Sequence, residues 1–141
     1  MITLEHYWMG RDVSHGLSLG PDVRRNAALT VELANKLLIL AKTAGVSLEA
    51  SPRTGSIVSS GWRPPEINAA TPNAAPKSKH ITGQAIDLYD ADGDLDEWLL
   101  MPAGQKALTD LGLWHEDPAA TKGWAHLQTV PPRSGRRTFY P

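Results

Sequence analysis

The sequence contains no cysteine and no apolar run long enough to cross a bilayer. The first absence excludes disulfides and thiolate-bound metals, and the second predicts that no helix spans a membrane. Charge of one sign is also lacking, since the formal net charge is −1 and the basic pairs Arg24-Arg25 and Arg136-Arg137 are short. We therefore expect no nucleic-acid partner and no membrane insertion.

The length and composition are those of an ordinary globular protein. With 141 residues, of which 41% are hydrophobic, the chain can bury a core but leaves no room for a second domain. We predict a single domain over residues 1–141. The opening residues carry Glu5 and His6 where a secretory signal needs a basic and then an apolar run, so we expect synthesis in the cytoplasm without a signal peptide. Nothing in the sequence indicates the oligomeric state.

Two imidazoles and one carboxylate stand out as candidate metal ligands: His80, Asp87 and His126. Structural zinc sites fill four positions, mostly with thiolates, whereas a His/Asp/His set stops at three and leaves one position for water. A metal lowers the pKa of such a water and makes it a nucleophile. The sequence therefore predicts a catalytic site that holds one zinc ion per chain.

The spacing between His80 and Asp87 fits either two helical turns or a loop that enters a strand. Gly83 favours the loop. Residues 85–89, Ala-Ile-Asp-Leu-Tyr, alternate in the manner of a strand, with the isoleucine and leucine on the buried face and Asp87 on the other. The small Ala85, on the same face as Asp87, leaves space for a metal.

Apolar periodicity and turn residues predict the other elements. The longest is a core helix over 22–44, in which Asp22 is the N-cap, Leu29 and Leu40 belong to the apolar stripe, and Gly45 is the stop. The remaining predictions are strands at 46–48 and 56–60, helices at 64–68, 94–100 and 103–111, and an antiparallel pair of strands at 113–116 and 124–128. Together they predict an α+β fold: a small antiparallel sheet flanked by helices, with the zinc site on one face of the sheet.

The acidic stretch 90–97 does not have the spacing of an EF-hand calcium loop. Its glycine stands at the fourth place and Met101 at the twelfth, where that loop needs a glycine sixth and a glutamate last. We predict instead that Asp94 is the N-cap of the helix through residue 100, with Glu97 completing a capping box.

The motif around the first two ligands resembles the signature of a known family. It reads Ser-x-His-x-x-Gly-x-Ala-x-Asp, through Ser78, His80, Gly83, Ala85 and Asp87. The family comprises zinc D-alanyl-D-alanine carboxypeptidases, dipeptidases and phage L-alanyl-D-glutamate endopeptidases, which cut the peptide part of the bacterial cell wall. The preceding Ser-Gly-Trp-Arg-Pro-Pro segment is similar as well, so the resemblance covers about residues 56–128.

The resemblance implies a hedgehog and D-Ala-D-Ala peptidase-like fold in which zinc is bound by His80, Asp87 and His126. It implies that Arg63 takes part in catalysis and substrate binding and that Ser78 contacts substrate; on its chemistry alone, Ser78 can equally cap a turn. The implied activity is hydrolysis of a peptide bond in peptidoglycan stem peptides, as a D,D-carboxypeptidase or an endolysin-type endopeptidase. A phage or prophage protein that reaches the cell wall after release is also implied.

The sequence departs from the family at the general base. Many members have Glu or Asp three residues before the last histidine, where this chain has Gly123. A base is still needed to move protons, and Glu116 is our candidate because pairing of the last two predicted strands places it on one face with His126, in a diagonal position. Asp117 and His115 stay alternatives, since a shift of register by one residue exchanges the faces.

Gly123 also keeps a second function open. The chain can be a non-catalytic zinc-binding phage structural or binding domain that retains the ligands, since members of this fold superfamily such as the hedgehog signalling domain have lost peptidase activity. A different metal-dependent amidohydrolase is a third possibility.

Overall fold

Six α-helices and five short strands form the structure, a computed structural model that describes residues 1–141. The helices are α1 (Leu4–Trp8), α2 (Arg11–Ser14), α3 (Pro21–Thr43), α4 (Pro65–Ala70), α5 (Asp94–Leu100) and α6 (Pro102–Leu111). The strands are β1 (Val58–Ser60), β2 (Ala85–Tyr89), β3 (Trp114–Glu116), β4 (Trp124–Gln128) and β5 (Thr138–Phe139). The predicted α+β class is confirmed. No helix has both the length and the apolar character that a membrane span requires.

The strands form one sheet in the order β1-β2-β4-β3-β5. The first four strands are antiparallel to their neighbours, as predicted, and β5 runs parallel to β3. The parallel β5 makes the sheet mixed. The sequence did not predict β5, because a two-residue strand is too short to give a periodic signal. The strand predicted at 46–48 is wrong, since these residues are in no strand.

Helix α3 packs its small residues against the sheet. Its buried residues are Ala27, Thr30, Val31, Ala34, Leu37 and Ala41. Leu29 and Leu40 were predicted in the core stripe but are 47% and 44% exposed, because the packed face of the helix is narrower than the predicted stripe and they lie outside it. The helix starts one residue before the predicted cap, with Pro21 at N1, so Asp22 lies in its first turn.

The close approach of α3 fixes the loop before β2. Gly83 has a φ of 77°, and a Cβ at this position would lie 2.8 Å from the carbonyl oxygen of Val23 in α3. The hydroxyl of Thr30 donates to the carbonyl of Gly83 at 2.7 Å, and the Asn26 amide donates to the carbonyl of Thr82 at 3.0 Å. Only glycine fits this position, so the motif glycine holds the loop that carries His80 against the longest helix.

The N-terminus of α5 is capped from a distance. The Asp94–Glu97 capping box predicted from the sequence is wrong, because Asp94 lies inside the first turn and makes no capping bond. The carboxylate of Asp90 accepts hydrogen bonds from the backbone N–H groups of Leu95 at 3.1 Å and Asp96 at 2.9 Å. Asp90 is buried, so it serves as the cap that ties the end of β2 to the next helix.

We expect Asp90→Ala to lower the free energy of unfolding by about 1–2 kcal/mol, because two N–H groups at the start of α5 lose their acceptor. Urea denaturation followed by circular dichroism measures the change. Asp94→Ala is the matched control and should shift stability by less than about 0.5 kcal/mol. Equal losses in the two variants would show that Asp90 is not the cap.

Candidate metal centre

The three predicted ligands meet on one face of the sheet. Asp87 lies in the middle of β2 and pairs across the sheet with His126 of β4, while His80 comes from the turn before β2. Their ligand atoms all lie within 4.8 Å of one another. Nε2 of His80 is 3.3 Å from Oδ2 of Asp87, and Nδ1 of His126 is 2.8 Å from Oδ1. This largely buried group can hold a metal ion, and the donor set alone does not fix which metal.

A backbone carbonyl sets the proton position on His80. Nδ1 of His80 lies 2.8 Å from the carbonyl oxygen of Gly61, and because a carbonyl only accepts, Nδ1 must carry the hydrogen. The other nitrogen, Nε2, is buried and has no hydrogen-bond partner. A buried acceptor without a partner is costly, and its lone pair points towards the carboxylate of Asp87.

A side-chain amide does the same for His126. The Nε2 group of Gln128 donates to the carbonyl of Val130 at 2.9 Å, which turns the amide oxygen of Gln128 towards Nε2 of His126 at 3.1 Å. Nε2 of His126 must therefore carry a hydrogen, because an amide oxygen only accepts. The ligand atom is Nδ1, which lies 2.8 Å from Oδ1 of Asp87; because that oxygen also only accepts, Nδ1 carries a hydrogen that a bound metal would replace.

Nε2 of His80 and Nδ1 of His126 thus converge on one carboxylate, and either the proton on Nδ1 or a metal ion can balance its charge. Burial lowers the pKa of His80 and favours its neutral form. Burial alone would raise the pKa of Asp87, but the neighbouring His80 and His126 outweigh it and hold that pKa well below its usual range. Burial would also lower the pKa of His126, but its hydrogen bond to Asp87 and the charge of Asp87 outweigh this, so the pKa is raised. A divalent metal binds the carboxylate and neutral imidazoles, so binding at His126 would release a proton.

Glu116 lies on the same face as the ligands. His115 pairs with Leu127 in the antiparallel β3–β4 ladder, which places Glu116 directly opposite His126 rather than in the predicted diagonal position. Asp87, His126 and Glu116 therefore form a row across β2, β4 and β3. Burial raises the pKa of Glu116, the charge of His126 lowers it, and the charge of Asp87 raises it again. A half-buried carboxyl group with a raised pKa suits proton transfer.

The two alternative bases are held by other contacts. His115 is fully buried, and its Nε2 is 2.7 Å from Oδ1 of Asp96, on the opposite face of the sheet from Glu116. Asp117 accepts a hydrogen bond from the backbone N–H of Ala119 at 2.9 Å and starts a short 3₁₀ turn. Among the three acid-base candidates, the structure brings only Glu116 to the row of ligands.

Arg63 lies beside the centre, and part of its guanidinium is unpaired. Its backbone N–H donates to the carbonyl of His80 at 3.1 Å, and its Nη1 donates to Oδ1 of Asn68 at 3.2 Å. Nε is buried without a partner. Burial lowers the pKa of Arg63, an effect that the charge of Asp87 opposes. The guanidinium is thus oriented, and its Nη2, which makes no hydrogen bond and is not fully buried, can donate to an incoming oxygen.

Ser78 has a structural contact in this position. Its hydroxyl oxygen accepts a hydrogen bond from the backbone N–H of His80 at 3.2 Å, which stabilises the turn that presents the ligand. The substrate contact implied for Ser78 stays a prediction.

Sequence reasoning missed two side chains that support the site. Gln128 follows His126 by two residues and so shares its face of β4, a signal that the sequence does contain. Asn68 is buried, accepts from Arg63, and donates to the carbonyl of Ala75 at 2.9 Å. Nothing in the sequence marks Asn68, because its role depends on the path of the loop that follows α4.

No protein-family model, no curated protein and no solved structure matches this chain. The family resemblance therefore stays an interpretation of the motif.

We expect Gln128→Leu to weaken metal binding by about 10–100-fold, because His126 loses the acceptor that keeps its hydrogen on Nε2. Titration calorimetry with zinc or cobalt measures the change. Gln84→Leu is the matched control, because the side-chain oxygen of Gln84 accepts only from the hydroxyl of Thr82, and it should bind as the wild type does. Wild-type affinity in Gln128→Leu would contradict the assigned proton positions.

Proposed function

We propose that the protein is a zinc metallopeptidase that hydrolyses a peptide bond in bacterial peptidoglycan stem peptides. The observation that carries the proposal is the row of Asp87, His126 and Glu116 across three strands. Asp87 and His126 suit a metal, and Glu116 suits a base. A purely structural metal site has no need of a half-buried carboxyl group beside its ligands. The substrate class is supported by the family resemblance of the motif.

The ligands would be His80, Asp87 and His126, and a bound zinc ion supplies Lewis acidity that polarises a carbonyl group and acidifies water. Glu116 takes a proton from the attacking water and passes it to the leaving amine, which is the task of a general acid-base. Burial raises the pKa of Glu116, which favours the first step, because the carboxylate accepts a proton more readily than that of an exposed glutamate.

Arg63 binds a substrate oxygen in this proposal. Its planar guanidinium is oriented by Asn68, and its Nη2 makes no hydrogen bond in the protein and is not fully buried. A carboxylate or a carbonyl oxygen of a peptide can accept from it. The positive charge also lies near Asp87 and the ligands, so the bound oxygen is held next to the reacting centre.

A non-catalytic zinc-binding domain is the competing function, and the observation in its favour is Gly123. This residue offers no side chain at the family's usual position for the base, and its carbonyl accepts a backbone hydrogen bond from Asp90 at 3.0 Å. Glu116 transfers protons in the peptidase but not in the non-catalytic domain, so a variant at this position distinguishes the two functions.

Glu116→Gln should keep the metal and lose activity. We expect about one zinc ion per chain, and release of new amino and carboxyl ends from purified peptidoglycan that is slower by about 10²–10⁴-fold, because an amide cannot move the proton. Metal analysis and end-group labelling provide the two readouts. Glu66→Gln, an exposed change in α4, is the matched control and should cleave normally.

Two outcomes would contradict this proposal. A wild-type protein that holds zinc but opens no bond in any type of peptidoglycan would favour the non-catalytic domain. Full activity in Glu116→Gln would be compatible with a peptidase but would show that Glu116 is not its general base. Mass spectrometry of the fragments identifies the bond and separates a peptidase from another amidohydrolase.

Arg63→Met should raise the KM for a peptide with a free terminal carboxylate. Loss of a charge-assisted hydrogen bond costs about 1.5–3 kcal/mol, or roughly 10–150-fold. The same peptide with a terminal amide should show a smaller effect if the contact is to the carboxylate. Arg24→Met, an exposed arginine of α3, is the control, and unchanged kinetics of Arg63→Met on both peptides would remove Arg63 from the site.

A further inference from the structure

Residues 7–11, which we name the N-terminal hook, wrap around Gly61 and Trp62. These two residues belong to the loop that contacts His80 of the candidate metal centre. The hook reverses direction through two residues in the left-handed region, Met9 with φ 56° and Gly10 with φ 77°. This turn brings Arg11 back to the loop that Tyr7 already touches. The hook contributes no metal ligand, so its contacts with the loop call for another explanation.

The hook takes up three of the four backbone polar groups of Gly61 and Trp62. The N–H of Trp62 donates to the carbonyl of Tyr7 at 3.0 Å, and Nη1 of Arg11 donates to the carbonyl of Trp62 at 2.8 Å. The N–H of Gly61 lies 3.3 Å from the sulfur of Met9. The fourth group, the carbonyl of Gly61, accepts from Nδ1 of His80.

The backbones of the hook and of the loop at Gly61 and Trp62 pack in close contact. A Cβ on Gly61 would lie 2.1 Å from the carbonyl oxygen of Tyr7, so only glycine allows the two backbones to approach. The indole rings of Trp8 and Trp62 pack edge to face with centroids 6.0 Å apart. The orientation of the Gly61 carbonyl is therefore set by the hook.

We propose that the hook is a positioning device for the metal centre, and that Arg11 is its key positioning residue. By holding the Gly61 carbonyl towards Nδ1 of His80, the hook keeps the hydrogen on that nitrogen and leaves Nε2 free to bind the metal. This inference rests on the metal site and not on the peptidase activity. Partners beyond the ligands commonly tune metal affinity in this way.

The surroundings of Arg11 support a specific role. Its pKa is lowered by burial and then by the positive charges of Arg63 and Arg53, and it forms no ion pair with an acidic side chain. A half-buried guanidinium beside two like charges is held there by its hydrogen bond to the carbonyl of Trp62. An arginine kept only for solubility would not occupy this position.

The test compares Arg11→Met and Arg11→Lys with the control Arg24→Met, in the full chain. Nitrogen-15 NMR of histidine-labelled, metal-free protein reports which nitrogen of His80 carries the hydrogen, and zinc titration reports affinity. We expect a single Nδ1–H form in the wild type and the control. We expect a mixture of forms and about tenfold weaker zinc binding in Arg11→Met, with partial recovery in Arg11→Lys, which still offers a donor.

A second control separates positioning from general loss of stability. Tyr7→Phe removes the hydroxyl that donates to the carbonyl of Ala85 at 2.7 Å but leaves the backbone carbonyl of Tyr7 in place. It should destabilise the protein without mixing the forms of His80. Arg11→Met with a single Nδ1–H form and wild-type affinity would overturn the proposal, as would equal mixing in Tyr7→Phe. The NMR readout needs no metal, so it decides the question even if the chain proves not to be an enzyme.

Discussion

The candidate metal centre depends on the two hydrogens that His80 and His126 donate away from Asp87. Each imidazole gives its hydrogen to an oxygen that can only accept, the backbone carbonyl of Gly61 for His80 and the amide oxygen of Gln128 for His126. The other two nitrogens, Nε2 of His80 and Nδ1 of His126, then face Asp87, and the strand pairing of β2 with β4 brings them together. Without these oxygens either ring could turn its other nitrogen towards Asp87, so the groups that surround the ligands decide which atoms are offered to a metal.

Sequence reasoning was strongest where the signal is local. The alternation in residues 85–89 predicted β2 with its bounds, and the spacing around Gly83 placed His80 on a loop, as found. The antiparallel pairing of 113–116 with 124–128, predicted around the connection at 117–123, is found as the pairing of β3 with β4. These features depend on neighbours within a few residues, which is the range over which side-chain pattern and backbone conformation are linked.

Features that depend on distant chain segments escaped prediction. The α5 cap comes from Asp90 and not from Asp94, because the fold of the turn decides which carboxylate reaches the free N–H groups. The Gly61 carbonyl could not be foreseen, since every residue has a carbonyl and only the tertiary structure aims it. Glu116 was placed on the correct face but two residues away from its position opposite His126, because face follows from alternation whereas register follows from the turn.

The sequence positions of the ligands have a consequence for how the protein is made. His80 and Asp87 are close in the chain, but His126 joins them only when β4 has paired with β2. A chain whose last strands have not yet emerged from the ribosome therefore has only two of the three ligands. An ion that binds after this pairing would link β2 and β4, two neighbouring strands of the sheet, and would stabilise them against separation.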